Sequence, residues 1–328
     1  MRADSYSHPV ASAPSISLLS RHFGVTRLAR VTGLDRTGVE VVAAVRPFGH
    51  VLQVSQGKGL SLEQARWSAL GEAAELAAAE VIDPSRLVWR ADDGGLMVAW
   101  VEGDDLASRA PALAPAQAVF CPPAGEVWLG PMTSRWSSNG LGFHPTSRSR
   151  AVTHAVLELI ERHVLAQVLP EGWTPRVAQR RLVASPPLAR RLATRGFAAF
   201  VFDLSLPSSA PVAGALLFDL QGGPVPLTAG YACRRRFKAA AEAALLEAAQ
   251  SRLTEIHGAR EDVLGGAREA GGALLASLER AVPRRSPPPA WTGSLAGSVK
   301  GPVIIVTLAR APWVVKAVGR SMAVSELL

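Results

Sequence analysis

One sequence unit recurs three times along the chain and limits the folds that the chain can adopt. Each copy runs from an apolar stretch with strand character, through a segment of small residues, into an alanine-rich helical segment with acidic side chains. The helical segments span 62–80, 151–167 and 238–256. Because each copy combines a strand with a helix, we predict a mixed fold of the α+β class.

The first two helical segments carry acidic pairs at equal spacing. Glu72 and Glu158 are 86 residues apart (158 − 72), and the second acidic residues, Glu75 and Glu161, share that spacing (161 − 75). The third segment carries Glu247 at a comparable place. An internal repeat is therefore predicted, against the alternative that degenerate copies arise by chance in an alanine-rich chain.

The second copy is the most informative. One buried helix face is predicted by residues at helical spacing: Val152, Ala155, Val156, Leu159, Ile160 and His163. Glu158, Glu161 and Arg162 lie off that stripe as surface neighbours. The polar, glycine-punctuated segment 138–146 before the helix is interpreted as a loop. Carboxylates that hold a hard cation, beside an arginine, suit a metal-bound phosphate, whereas the alternative is a solvated Glu–Arg ion-pair face.

The first copy contains Ser55-Gln-Gly-Lys-Gly, predicted as a loop that a short strand over 50–55 delivers. Its glycines would let the backbone approach a phosphate while Lys58 supplies charge, although the spacing is not that of a Walker A motif. The alternative is a turn with a solvated lysine. Strands are also predicted at 39–45, 96–102, 116–129, 197–206, 212–220, 225–232, 303–308 and 313–318.

Several short motifs occur in the order typical of one family. They are Thr32-Gly-Leu-Asp-Arg-Thr-Gly, Arg46-Pro, Ser55-Gln-Gly-Lys-Gly, Ser68-Ala-x-x-Glu-x-x-Glu, Ser138-Asn-Gly, Glu158-x-x-Glu-Arg and Glu247-x-x-Gln-Ser-Arg. In this order the chain resembles YcaO-domain proteins from about residue 30 to about residue 265.

The resemblance implies a fold particular to that family, with three alanine-rich helices around a nucleotide cleft. We expect a flexible N-terminus over 1–15 and a single YcaO-like domain over 16–328. Family members bind ATP and magnesium and phosphorylate a peptide amide oxygen, which yields azolines, thioamides or amidines. The implied magnesium ligands are Glu72, Glu75, Glu158 and Glu161. The implied nucleotide or phosphate contacts are Ser55, Lys58, Ser68, Ser138, Asn139, Arg162 and Arg252, with Lys58 and Arg252 on opposite sides of the cleft.

Two positions depart from the family pattern. Eight residues before Glu158, where the family has an acidic residue, this chain has Arg150. We hypothesise that Arg150 replaces one magnesium ion with its own charge and contacts the phosphates. The segment from Gly319 to Leu328 lacks the proline-rich tail of azoline-forming members, which favours thioamidation or a partner-assisted activity.

Arg150 also motivates the competing prediction of a catalytically degenerate member that binds a peptide or partner enzyme. A third interpretation is an unrelated α+β protein with coincidental Glu pairs. The expected partners are a precursor peptide or protein substrate and a leader-binding E1-like or TfuA-like protein. A homodimer is also considered.

Charge and composition agree with an anionic partner. The net charge is +8, the sequence pI is about 10.4, and lysine occurs only at 58, 238, 300 and 316. The chain shows no nucleic-acid-binding motif, so nucleic acid is an unfavoured partner. Cys121 and Cys233 lack metal-ligand spacing and are interpreted as buried small side chains. No secretory signal or membrane span is predicted, which makes the cytoplasm the expected location.

Overall fold

The computed structural model describes residues 14–131, 136, 138–183, 186–258, 268–280 and 286–324. Within these ranges the helices are α1 (Ile16–His22), α2 (Leu62–Glu80), α3 (Ala116–Val119), α4 (Arg148–Val168), α5 (Pro175–Ala178), α6 (Pro187–Ala193), α7 (Phe237–His257) and α8 (Arg268–Arg280). The strands are β1 (Arg27–Arg30), β2 (Glu40–Val45), β3 (Val54–Gly59), β4 (Leu87–Ala91), β5 (Met97–Asp105), β6 (Pro111–Pro115), β7 (Ser138–His144), β8 (Phe197–Asp203), β9 (Val212–Asp219), β10 (Leu227–Cys233), β11 (Val303–Ala309) and β12 (Trp313–Gly319).

The strands form three antiparallel sheets. Two have three strands, in the orders β1-β2-β3 and β10-β9-β8. The third has the order β4-β5-β11-β12-β7, with β6 also paired to β5. In each sheet one edge strand is followed in the sequence by a long helix: β3 by α2, β7 by α4 and β10 by α7. These three pairs are the three predicted copies of the sequence unit.

Each of these helices packs closely on the strand that precedes it, and glycine makes the approach possible. A Cβ at Gly57 would lie 1.9 Å from the Ala69 nitrogen of α2, and a Cβ at Gly142 would lie 2.0 Å from the Ala151 oxygen of α4. At Gly230 a Cβ would lie 2.3 Å from the Ala244 oxygen of α7. The loops predicted around Lys58 and over Ser138–His144 are therefore wrong, because these glycines belong to strands that helix backbones cover.

Two other strand predictions are corrected. The strand predicted over 50–55 begins only at Val54, because His50 and Val51 turn to donate their backbone amides to the Glu80 carboxylate. The strand predicted over 116–129 is absent: Ala116–Val119 is a helical turn, and the strand is the preceding segment Pro111–Pro115. Proline at both ends of β6 is tolerated because β6 pairs on one side only, with β5.

The predicted buried face of the central helix is confirmed. Its apolar residues are buried, and His163 is 5% exposed with its Nδ1 accepting from the Ala323 amide. Ser61 and Ser147 cap the N-termini of α2 and α4 through their side chains. These caps set the first residues of α2 and α4.

Three further expectations from the sequence concern the cysteines, a membrane span and the N-terminus. Cys233 is buried as expected, but Cys121 is exposed, and both are free thiols. Among the described residues no helix is both long and apolar enough to cross a membrane. The N-terminal expectation for residues 1–15 falls largely outside the described residues; Ser15 already caps α1.

Candidate functional site

The free edges of β3, β7 and β10 are each contacted by a helix from another copy of the unit. Glu161 of α4 accepts a hydrogen bond from the Cys233 amide of β10 at 2.7 Å. Gln250 of α7 donates to the Gln56 carbonyl of β3 at 3.0 Å. Glu75 of α2 accepts from the Phe143 amide of β7. The three contacts form a closed cycle: α2 to β7, α4 to β10 and α7 to β3.

A glutamate lies three positions before each of these contact residues: Glu72 before Glu75, Glu158 before Glu161 and Glu247 before Gln250. Glu158 accepts from the Leu141 amide at 2.8 Å and pairs with Arg162, also at 2.8 Å. Glu247 pairs with Lys58 at 3.0 Å. The cycle therefore surrounds one centre with Glu-x-x-Glu twice and Glu-x-x-Gln once. The geometry supports the predicted internal repeat and assigns Glu247 and Gln250 to it.

The electrostatics of the carboxylates show how closely they are grouped. Burial raises the pKa of Glu75 well above its usual range, and repulsion by Glu158 and Glu72 raises it further. Burial, with repulsion by Glu247 and Glu158, raises the pKa of Glu161 to about 8. Such groups favour a nearby cation, because a cation relieves the repulsion between the charged forms.

Cationic side chains line the same centre. Arg234 lowers the pKa of Glu161, opposing burial, and therefore lies near that carboxylate. The side chain of His154 is accessible to solvent, but many protein atoms lie around it, and this desolvation lowers its pKa. Arg234 and, more weakly, Lys58 lower that pKa further, whereas Glu158 raises it. An accessible side chain enclosed in this way lies on the wall of a concavity.

The carboxylates of this centre fit a magnesium ion that binds together with phosphate. Within the described part of the chain no three His, Cys, Asp or Glu side chains are arranged to hold a metal ion by themselves. Magnesium in nucleotide sites is usually held by only one or two carboxylates, with water and phosphate oxygens completing the octahedron. Paired carboxylates whose pKa values are raised by burial and mutual repulsion, with cations beside them, fit a magnesium ion that enters together with phosphate.

The predicted phosphate contacts divide between two faces of β3. Lys58 lies on the face that meets α7. Ser55, by the alternation of side chains along a strand, shares with Gly57 the opposite face, against α2. Ser55 is 2% exposed, and its Oγ has no partner among the described residues. Ser55 and Lys58 therefore do not act as one loop-borne pair.

The remaining predicted contacts also lie on known elements. Asn139 is half-buried near the start of β7, and Ser138 begins that strand. Arg162 is held beside Glu158. Ser68 is exposed on α2, one turn before Glu72. None of these placements tests the predicted nucleotide contacts, which stay predictions.

Arg252 occupies a different environment from the one predicted. It is 2% exposed, and its guanidinium pairs with Asp35 at 3.1 Å and Asp219 at 2.8 Å while also donating to the Val225 carbonyl. Every guanidinium nitrogen thus donates to a protein oxygen. The geometry makes Arg252 a buried cross-link between α7 and the β9–β10 region, and it gives no support to a phosphate contact or to a position opposite Lys58.

Arg150 lies in the first turn of α4, exposed, with Nη1 3.4 Å from Nε2 of His144. Its backbone amide donates to the N-cap Ser147. No contact to the carboxylates is recorded for it among the described residues. The hypothesis that Arg150 contacts phosphate stays a prediction.

Sequence analysis missed two cations of the site and did not use Glu247 as a site residue. Arg234 was one of three adjacent arginines before α7, and its proximity to Glu161 depends on the α4–β10 contact. Lys316 has a local signal, a single lysine at a buried position of an apolar strand. A cavity of about 480 Å³ lined by Arg46, Phe48 and Glu80 lies apart from these groups.

Comparison with known proteins agrees with this architecture. A family model described as "YcaO cyclodehydratase, ATP- and Mg2+-binding" matches residues 83–296. The structure of YcaO from Methanopyrus kandleri, bound with AMPPCP and Mg²⁺, superposes with a TM-score of 0.71 at 24% identity, covering 93% of this chain and 87% of that one. The predicted α+β fold of the YcaO type is confirmed.

Two further likenesses are relevant to partners. A chain of the E. coli microcin synthetase McbBCD complex superposes with a TM-score of 0.58 at 14% identity, covering 96% of this chain and 89% of that one. A Rhizobium leguminosarum bv. trifolii protein, described as uncharacterized in the tfuA 3′ region, is 29% identical over 299 residues, which is 79% of this chain and 70% of that protein.

Proposed function

The chain belongs to the YcaO family, which binds ATP and Mg²⁺, and from that premise we propose that it activates a backbone amide of a ribosomally made peptide or protein. The single observation that carries the proposal is the closed cycle of three helix-to-edge contacts. It assembles carboxylates from α2, α4 and α7 around one centre with Lys58, Arg162 and Arg234 beside them.

The chain's own residues would do the following. Glu72, Glu75, Glu158 and Glu161 would hold magnesium, and the Glu75 and Glu161 carboxyls, whose pKa values are raised, would release protons as the cation enters. Lys58 and Arg162 would donate to phosphate oxygens and neutralise their charge. When bound, Mg–ATP supplies the phosphoryl group that turns a poor leaving oxygen into a good one.

For the nucleophile, we propose sulfide delivered with a TfuA-like partner, which makes a thioamide. The relative in the tfuA 3′ region supports this choice over azoline formation. The test is mass spectrometry of a candidate precursor peptide incubated with the chain, a TfuA-like partner, ATP, Mg²⁺ and sulfide. A thioamide replaces one oxygen by sulfur, whereas an azoline loses one water. Loss of water from a Cys, Ser or Thr residue would refute the thioamide and retain the family activity.

The alternative is a degenerate family member that binds a peptide or partner enzyme without turnover. Arg150, at the position of a family acid, favours it. In that case the wild type binds no nucleotide with or without magnesium, and Arg150→Glu does not restore binding. The peptide substrate, a leader-binding or TfuA-like partner, a homodimer and the cytoplasmic location stay predictions.

A further inference from the structure

Lys316 is a buried lysine in the middle of β12, the strand next to the edge strand β7, and it is 6% exposed. Its neighbours in the strand, Val315 and Ala317, pack in the core beside α4. Side chains alternate along a strand, so Lys316 lies on the opposite face of the sheet from these two residues. That face is the one against which α2 packs, through Val314 and Phe143.

The register of the sheet places Lys316 beside the carboxylates. Lys316 is paired with Leu141 of the edge strand β7. The Leu141 amide donates to Glu158, and the Phe143 amide, two residues further along the same free edge, donates to Glu75. Directly opposed residues have Cβ atoms about 5 Å apart, so the flexible lysine stem starts one strand away from both carboxylates.

Among the described residues no ion pair joins Lys316 to either nearby carboxylate: Glu158 pairs with Arg162, and Glu75 accepts from the Phe143 amide. The groups that act on it electrostatically are Glu75 of α2, Glu158 and Arg162 of α4, and Cys121 after α3. Burial is the main cause that lowers its pKa. The two carboxylates are near enough to influence the ammonium, but they already accept from strand amides and Arg162 and do not pair with it.

A buried ammonium without a partner is costly, and buried cations in proteins are normally paired. A lysine that is 6% exposed beside two carboxylates, and that forms an ion pair with neither among the described residues, suits a site that an anionic ligand completes. A phosphate oxygen suits it: Glu75 and Glu158 would hold the magnesium that accompanies a nucleotide, and the Lys316 ammonium beside them would donate to an oxygen of the same phosphates.

We propose that the ammonium group of Lys316 binds a β- or γ-phosphate oxygen of the nucleotide. Lys316 is paired with Leu141 of the neighbouring strand and lies beside Glu75 and Glu158. This inference rests on the proposed function, since it requires Mg–ATP at the same carboxylates. It adds to the site a residue from the last strand, whereas the predicted contacts come from the three repeated units.

The first test compares nucleotides by calorimetry. Lys316→Met keeps the side-chain length and removes the charge, and Lys300→Met is the matched control at an exposed lysine. With Mg²⁺, Lys316→Met should weaken binding of a non-hydrolysable ATP analogue by about tenfold or more. AMP binding should not change, and Lys316→Arg should recover part of the loss. A purely structural lysine would lower stability without this dependence on phosphate number.

The second test uses the wild type and therefore does not depend on a variant that folds. An acyl phosphate of ATP presents a carbonyl next to the terminal phosphate; a lysine nitrogen attacks it, an amide forms and ATP leaves. With only four lysines in the chain, peptide mapping assigns each label. Lys316 should be acylated and protected by excess Mg–ATP, whereas labelling of Lys300 should show no protection.

The outcomes separate the two claims. A wild type that binds Mg–ATP, together with a Lys316→Met variant that binds it equally well and no protected label at Lys316, overturns this inference alone. A wild type that binds no nucleotide overturns the proposed function and the inference together.

Discussion

Glu161 accepts a hydrogen bond from the backbone amide of Cys233, 72 residues further along the chain, at 2.7 Å. The bond satisfies an edge amide of β10 with a carboxylate from α4, and it holds that carboxylate among Glu158, Glu247 and Arg234. An edge strand normally leaves such amides exposed to other chains. Here the site uses them, so the contact that closes the sheet edge also positions an acidic side chain.

This carboxylate predicts a pH-dependent stability in the metal-free chain. The pKa of Glu161 rises from 4.5 to about 8 on folding. Between these values the folded state retains a proton that the unfolded state releases, so the contribution of Glu161 to stability falls as pH rises through this window and stays constant above it. Glu161→Gln should therefore stabilise the protein by about 1–3 kcal/mol above pH ~8 and have little effect below pH ~4.5.

Urea unfolding in the presence of a chelator, repeated across that pH range, measures the effect. The control is Glu126→Gln, at an exposed glutamate. If the unfolding free energies of Glu161→Gln and the wild type differ by the same amount at every pH, the carboxyl of Glu161 is not buried in its protonated form.

Close packing of α4 on β7 predicts a severe effect of one methyl group. Gly142→Ala would place Cβ 2.0 Å from the Ala151 oxygen, and backbone cannot move aside as a side chain tip can. We expect a loss of about 3 kcal/mol or more, or failure to fold. Gly33→Ala, where no atom lies within 4 Å, should change stability by less than about 1 kcal/mol. Thermal unfolding of the pair checks this, and equal midpoints would refute the packing.

Arg252 is predicted to act in folding and not in nucleotide binding. Arg252→Met leaves Asp35 and Asp219, whose side chains are 3% and 0% exposed, without this partner. The loss should be about 3–5 kcal/mol of unfolding free energy. Nucleotide affinity of the folded fraction should stay within about twofold, because no guanidinium nitrogen faces away from protein oxygens. A stable variant that loses ATP binding would restore the sequence-based prediction of a phosphate contact.

Arg150→Glu is predicted to stabilise α4. Ser147 is the N-cap and residue 150 is three positions later, so glutamate there completes a capping box and reverses an unfavourable charge near the helix dipole. The gain should be about 0.5–1.5 kcal/mol in metal-free unfolding experiments. If Arg150 also contacts phosphate, the same change should raise the magnesium concentration needed for nucleotide binding. An unaltered magnesium dependence would reject only the phosphate contact.

The spacing of apolar residues is sufficient to predict the helices and strands in which that spacing is regular. The buried stripe on α4 and the paired strands β8 and β9 follow from apolar spacing. The loop predicted around Gly140 and Gly142 is wrong because a strand glycine under a helix and a loop glycine look alike in the sequence; only the α4 backbone distinguishes them.

Long-range pairing limited the prediction of the site. The acidic pairs were recognisable from their i, i+3 spacing, but the cycle depends on contacts such as Gln250 to Gln56, which are 194 residues apart. The same limit explains Arg252. Arg252 lies five residues after Glu247, and five residues turn a helix by about 140°. Arg252 therefore faces Asp219 and not the glutamates around the centre. Family membership and the ATP and magnesium cofactors, in contrast, are confirmed.

We propose that Mg–ATP binds at the centre of the three repeated units, with its magnesium held by the carboxylates of α2 and α4. Calorimetric titration of the wild type and of Glu161→Gln with a non-hydrolysable ATP analogue, each with and without Mg²⁺, measures this binding. We expect magnesium-dependent binding of the analogue to the wild type and to the Glu126→Gln control. We expect Glu161→Gln to lose that binding while its circular dichroism spectrum stays unchanged. Equal, magnesium-dependent affinities for the wild type and Glu161→Gln, or no binding to the wild type, would contradict it.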